Sequence, residues 1–211
     1  MDLRIGCIVE GHGDREAVPV VIRRLAEKLD PTMTVLIPPP IRIPKNKLIK
    51  AGELERAVEL AARTTSRHGA VGIVLDGDDD CPAQIGPALL ERATRVRRDL
   101  PTAVVIAKRE FESWFLAAAE SLAGHRGLNT NLDHPPEPEA VRGAKEWLSA
   151  RMQGGRKYVE ILDQPALSAQ FNLDMARRSE SFDKCYREIS RLLNELRKAE
   201  GRDSTEFKSK L

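Results

Sequence analysis

Val71-Gly72-Ile73-Val74-Leu75-Asp76-Gly77-Asp78-Asp79-Asp80 is the stretch that decides the fold. Its first half is apolar and β-branched, the form of a strand buried on both faces in a parallel sheet. It ends abruptly in carboxylates, at the strand end where open α/β sheets bind their ligands. Towards the N-terminus, Leu3 to Val9 is another such strand and ends at Glu10. Asp14 then opens a helix with Ala17, Val18, Val21, Ile22, Leu25 and Leu29 at helical spacing. Met33 to Ile37 reads as a strand running into Pro38-Pro39-Pro40, an exposed extended segment. Arg42, Lys45, Lys47 and Lys50 follow, and then a helix carrying Leu54, Val58, Ala61 and Ala62. Towards the C-terminus come a helix with Leu89, Leu90, Ala93 and Val96 inward, a strand over Thr102 to Ala107, and a helix from Glu110 striped by Phe111, Trp114, Phe115, Ala118 and Leu122. This βα alternation predicts an α/β fold over residues 1–124, a mostly parallel four-stranded sheet flanked by helices. Residues 125–211 read as a C-terminal helical extension behind the linker His134-Pro135-Pro136-Glu137-Pro138, with helices over Glu139 to Met152, Gln164 to Leu167 and Phe182 to Lys198 and a tail that frays from about residue 201.

Composition narrows the class. The chain has 211 residues, 41% hydrophobic and 31% charged, so it folds around one main core and is not disordered as a whole. Its 34 Lys and Arg against 32 Asp and Glu leave +2, which supplies no overall field for nucleic acid. No apolar run is long enough to span a bilayer and no signal peptide opens the chain, so the expected location is the cytoplasm, with no membrane partner. The three cysteines, Cys7, Cys81 and Cys185, lack the spacing of a zinc site or a disulfide framework and are expected to be buried thiols.

The chemistry lies in the acids. Glu10 and the Asp76, Asp78, Asp79, Asp80 run end strands that are central in most doubly wound sheets, which would gather them at one rim. Carboxylates so crowded raise one another's pKa or take a divalent ion, and without His or Cys neighbours the fitting ion is hard, Mg2+ or Mn2+. In Glu10-Gly11-His12-Gly13-Asp14, Gly11 and Gly13 permit a tight turn and a close approach to phosphate. Asp14 fits two readings, a helix cap or a further ligand, and His12 is placed to shuttle a proton. No Lys-Ser or Lys-Thr follows, so this is no nucleotide-hydrolysing P-loop.

With those residues noted, the chain resembles a Toprim domain, the Rossmann-like metal-binding module of topoisomerases, bacterial primases and OLD-type nucleases. A strand ending in Glu10-Gly11 followed by a strand ending in Asp76-x-Asp78 carries the likeness. Ile8 to Asp14, Lys108 to Leu116, and Ala176 to Ser179 with Ser181 to Lys184 resemble more closely a prokaryotic Toprim-like family of uncharacterised function, some members of which are encoded beside OLD-like ATPases. The resemblance implies a Mg2+-dependent phosphodiester hydrolase, a nuclease on DNA or RNA, working with a separate OLD-type ATPase in defence or repair. The alternative it leaves open is a non-catalytic, metal-dependent nucleotide or nucleic-acid binding module. Glu10 would be general acid or base or a ligand, with Asp76 and Asp78 holding the metal. Asp14 and Glu112 are further candidate ligands, although a glutamate at a helix start is also favoured by the dipole. Lys108 could neutralise charge in the transition state. Arg42, Lys45 and Lys47 form a candidate polyanion contact or a solubilising loop. Arg177 and Arg178 are candidate phosphate clamps or helix-docking ion pairs. Phe111, Trp114 and Phe115 fit core packing better than a base-stacking platform, and His68, His125 and His134 read as surface groups.

Overall fold

The structure is a computed structural model and describes residues 3–65 and 69–208, with 201–208 described by backbone alone. Its strands are β1 (Leu3–Val9), β2 (Val35–Leu36), β3 (Ile41–Arg42), β4 (Ala70–Asp76) and β5 (Thr102–Ala107). All pair in parallel, in the order β2-β1-β4-β5, with β3 also on β1. The helices are α1 (Asp14–Leu29), α2 (Lys45–Leu48), α3 (Glu53–Thr64), α4 (Pro82–Val96), α5 (Ser113–Ala117), α6 (Ala144–Ser149), α7 (Glu160–Ser168), α8 (Leu173–Ala176) and α9 (Glu180–Lys208).

β1 and β4 are direct neighbours, Val9 standing opposite Val74, so Glu10 and Asp76 leave the sheet side by side. The edge strand expected over Met33 to Ile37 is present in shortened form as β2, and a second short strand, β3, follows the prolines. β2 pairs with Leu3 and Arg4, and β3 with Ile8 and Val9. Pro38, Pro39 and Pro40 lie between them; prolines have no N–H to donate, so the ladder lapses there and resumes, giving five strands rather than four.

Side chains alternate between the two faces of the sheet. Ile8, Val71, Ile73, Leu75, Val104 and Ile106 pack with α3 and α4; Ile5, Cys7, Val9, Val74, Ala103 and Val105 pack with α1 and the C-terminal helices. Residue 124 therefore marks a change in the chain's style, not a break in its core. The layer behind β1, β4 and β5 is supplied by α9, whose Phe182, Ile189, Leu192, Leu193 and Leu196 are buried with α1 residues in one cluster. That helix continues past Gly201 to Lys208, where the sequence predicts fraying.

The stripe after Glu110 is broken into α5 and a 3-10 turn over Ala119–Leu122. Phe111, Trp114 and Phe115 are buried; Phe111 meets the other two ring to ring, Trp114 meets Phe182 and Phe115 meets Phe171, which is core packing. Cys7 and Cys185 are buried, but Cys81 is exposed, because it precedes α4 at the sheet rim rather than lying in a strand or an inward helix face. His134 has a partner after all, its Nδ1 lying 2.6 Å from Glu120 Oε1. His125 is exposed, and His68 lies outside the described residues. Among the described residues no helix is long and apolar enough to cross a membrane.

Candidate active site

The turn between β1 and α1 builds one wall of the site. The Gly11 N–H donates to Asp14 Oδ2 at 2.7 Å, and Gln164 Nε2 donates to Asp14 Oδ1 at 2.7 Å. Asp14 is the first residue of α1 rather than its cap, the place of which Gly13 takes, and both its oxygens are engaged. The Gly13 N–H donates to Glu160 Oε1 at 3.0 Å. A Cβ at Gly13 would stand 1.8 Å from Gln164 Oε1, so α7 seats against this turn only because residue 13 is glycine.

Glu10, Asp76 and Glu112 form the floor. Glu10 Oε1 accepts from the Lys45 N–H at 3.2 Å, while its Oε2 is buried with no hydrogen-bond partner. Asp76 Oδ1 accepts from the Phe111 N–H at 2.8 Å, which ties the end of β4 to the loop after β5. Glu112 is fully buried; Oε1 accepts from the Tyr158 hydroxyl at 2.9 Å and Oε2 has no hydrogen bond. Beside them, Lys145 Nζ of α6 lies 3.4 Å from Glu160 Oε2, 3.5 Å from Glu112 Oε2 and 3.8 Å from Glu110 Oε2.

The electrostatics follow from burying several like charges together. Burial raises the Glu10 pKa, with the Asp78 charge adding to it, and burial raises that of Asp14, with help from Glu160. Asp76 is held well above the usual carboxylate range, first by burial and then by the charges of Asp14 and Glu112. Burial likewise pushes Glu112 up to about 7, against the pull of Lys145. Burial alone would lower the Lys145 ammonium, but Glu112, Asp76, Glu160 and Glu110 outweigh it and hold its pKa raised.

The rest of the acidic run is diverted. Asp78, a non-glycine residue at φ 50°, donates its N–H to the Arg109 carbonyl at 2.9 Å, and Arg109 itself has φ 66°. Such left-handed residues are uncommon and here pin the β4 and β5 loops to each other. The Asp78 carboxylate accepts from Lys45 Nζ at 2.5 Å, with Asp80 3.3 Å from the same ammonium; Asp79 pairs with Arg109 and Arg142. Of the aspartates ending β4, Asp76 alone joins the floor.

The basic candidates part company in the same way. Lys45 is buried and tied to Asp78, Asp80 and the Gly77 carbonyl; Arg42 is half-buried in β3, and Lys47 is exposed on α2. Lys108 is exposed and lines, with Ile106, Pro82, Arg177, Lys184 and Arg187, a groove of about 580 Å³ between α4 and α9. Arg177 is held by Asp183 at 2.7 Å and lies over the Tyr186 ring. Arg178 donates to Glu120 and to the Ala117 carbonyl, so it docks a helix and does not lean over the carboxylates. His12 is exposed at the rim, and Gly11 is half-buried behind it.

A family model described as a domain of unknown function, DUF4276, matches residues 9–190, from the last residue of β1 into α9. The chain belongs to the DUF4276 family. No curated protein and no solved structure matches it. The DUF4276 match takes in every residue of the wall and floor, including Tyr158, Glu160, Gln164 and Lys145, which sequence reasoning missed. For Lys145, Glu160 and Gln164 the one signal is chemical, charged and amide side chains on the short helices α6 and α7, and Tyr158 before α7 carries none; nothing local says that these pieces close over the turn after β1.

The donor set suits a hard ion, carboxylate oxygens without His or Cys, with Glu10 Oε2 and Glu112 Oε2 buried and unclaimed by hydrogen bonds. As the side chains stand, no three acidic, histidine or cysteine residues among the described ones are placed to hold a metal.

Proposed function

We propose that this protein is a Mg2+- or Mn2+-dependent phosphodiester hydrolase acting on DNA or RNA, with the Toprim-like division of labour that its sequence suggests. One observation carries the reading: Glu10 and Glu112, both close enough for their charges to act on Asp76, each present a buried oxygen without a hydrogen-bond partner. Burying carboxylate oxygens unpaired is costly, and such cost is characteristic of sites that wait for a cation or a proton.

Asp76 and Glu112 would hold the ion, which supplies Lewis-acid polarisation of the phosphodiester when bound. Asp78 is left out of that set because Lys45 holds it. Glu10, its pKa raised by burial, takes the proton of the attacking water at Oε2, while the Lys45 N–H fixes its other oxygen. Asp14 orients the turn through Gly11 and Gln164 and touches no substrate. Lys108 and Lys184, which have no ion-pair partner among the described residues, supply cations for the polynucleotide backbone in the groove beside the rim.

The test is incubation of labelled single- and double-stranded DNA and RNA with Mn2+, Mg2+ or chelator. Cleavage is expected with metal and lost with chelator, and Glu10→Gln and Asp76→Asn are each expected to lower it by about a hundredfold or more, the scale set by loss of a positioned acid–base group. Cleavage that survives both substitutions rejects the assignment. Metal-dependent binding of nucleic acid with no cleavage under any condition supports the binding-module reading instead. An OLD-type ATPase partner is a further expectation of the same resemblance, tested by co-purification of the two proteins.

A further inference from the structure

We infer that the Lys145 ammonium is the resident counter-ion of the carboxylate pocket and competes with the divalent cation for it. The inference rests on the metal-dependent reading and adds how the site is gated. Lys145 Nζ stands between Glu112, Glu160 and Glu110 at 3.4 to 3.8 Å, and its side chain is 34% exposed, so one ammonium faces several carboxylates across a short, mostly closed gap.

Its distances are long for charge-assisted hydrogen bonds, which run near 2.7–2.9 Å. The ammonium is thus shared among carboxylates rather than bound to one of them, and Glu112 Oε2, its neighbour at 3.5 Å, makes no hydrogen bond at all. This separates Lys145 from Lys45, which sits 2.5 Å from Asp78 in a committed pair. A loosely shared ammonium neutralises the pocket without filling it. A divalent ion held by Asp76 and Glu112 would meet that positive charge within a few ångströms. Even with water's screening, a divalent ion and an ammonium about 5 Å apart repel enough to cost about tenfold in affinity. Lys145 is carried on α6, a single short helix entered through Gly143 at φ 73°, and its long stem lets the ammonium retreat to solvent without unfolding a core element. Lys145 is on this account a positioning residue: it acts on the ion through the carboxylates it shares.

The probe is Mn2+ alone, followed by calorimetric titration of wild type and variants at one common pH. Lys145→Met and Lys145→Gln are expected to bind Mn2+ about tenfold or more tightly than wild type and to gain a larger rise in Tm on its addition, whereas Lys145→Arg, which keeps the charge, stays near wild type. A merely structural lysine would lower metal affinity or leave it unchanged when removed, and that result overturns the inference. Should the neutral variants fail to fold, acylation of Lys145 in wild type, read by mass spectrometry, decides. Mn2+ is expected to speed it by expelling the ammonium, and unchanged or slower labelling with Mn2+ bound overturns the proposal. If neither wild type nor any variant binds Mn2+, the metal-dependent reading falls and takes this one with it. If wild type binds and the variants bind no better, only the counter-ion role falls.

Discussion

Tyr158 shows how much of the site depends on a single donor. Its hydroxyl is the one side-chain donor to the Glu112 carboxylate among the described residues, and that carboxylate has no exposure to water. Tyr158→Phe keeps the ring and removes that donor, so both Glu112 oxygens are left buried and unsatisfied. The expected loss is about 1–3 kcal/mol, read as a lower urea midpoint with an unchanged slope. Gly13 is the complementary case, in which an added atom does the damage. Gln164 Oε1 and Glu160 Cγ occupy the space a Cβ would need, at 1.8 and 2.8 Å, and Gln164 cannot swing away without releasing Asp14. Gly13→Ala is expected to cost about 1–3 kcal/mol as overpacking does. Gly52, where φ is 81° but nothing crowds the position, separates crowding from backbone strain: alanine there meets open space and is penalised through its backbone alone.

Between elements, polar contacts outside the site tie neighbouring helices together. Arg92 of α4 forms a two-pronged contact with Glu55 of α3 at 2.8 and 2.9 Å and reaches the Ile49 and Lys50 carbonyls before α3. The guanidinium holds the Glu55 pKa down at about 2. A depressed carboxylate contributes stability that is present above its unfolded pKa and is lost as pH falls through the folded value, here from about 4.5 to about 2. Glu55→Gln is therefore expected to be less stable than wild type at pH 6 and to match it near pH 2. The difference should be under about 1 kcal/mol, because the pair is about one-third exposed and screened, and urea titrations at the two pH values measure it. Elements of this size also mark how far the sequence could be read. β1, β4 and β5 were legible because a strand buried on both faces leaves an apolar run in the chain itself, and the acids that end β1 and β4 were legible with them. β2 was legible as a strand but not in its length, and β3 was not legible at all, since a strand of two residues carries no periodicity and owes its existence to β1. Lys45 was misplaced for a related reason: its partner Asp78 is 33 residues away, and only the pairing of β3 with β1 brings them together.

At the scale of the whole molecule, the carboxylate site depends on the C-terminal third as fully as on the sheet. Glu10 and Asp76 come from strand ends, but the amide that holds Asp14, the hydroxyl that holds Glu112 and the ammonium beside them come from α7, the segment before it, and α6. None of those placements is encoded locally; they follow from α7 packing on α1 and α6 packing on α5. A chain ending at residue 124 keeps every residue of the motif Glu10, Asp76 and Asp78 but loses α9, and with it the part of the apolar layer that α1 does not supply on one face of β1, β4 and β5. Phe182, Ile189, Leu192, Leu193 and Leu196 are all buried, and such side chains are worth about 1.5–3 kcal/mol each. Together they are comparable to the entire net stability of a domain, about 5–15 kcal/mol. The truncated chain is therefore expected not to fold, and the full chain to unfold in one cooperative transition, with calorimetric and van't Hoff enthalpies equal. Two resolved transitions, or a truncated chain with a native-like melt, would mean that the helical part is a separate domain docked on a self-sufficient sheet, because a shared core cannot melt in halves.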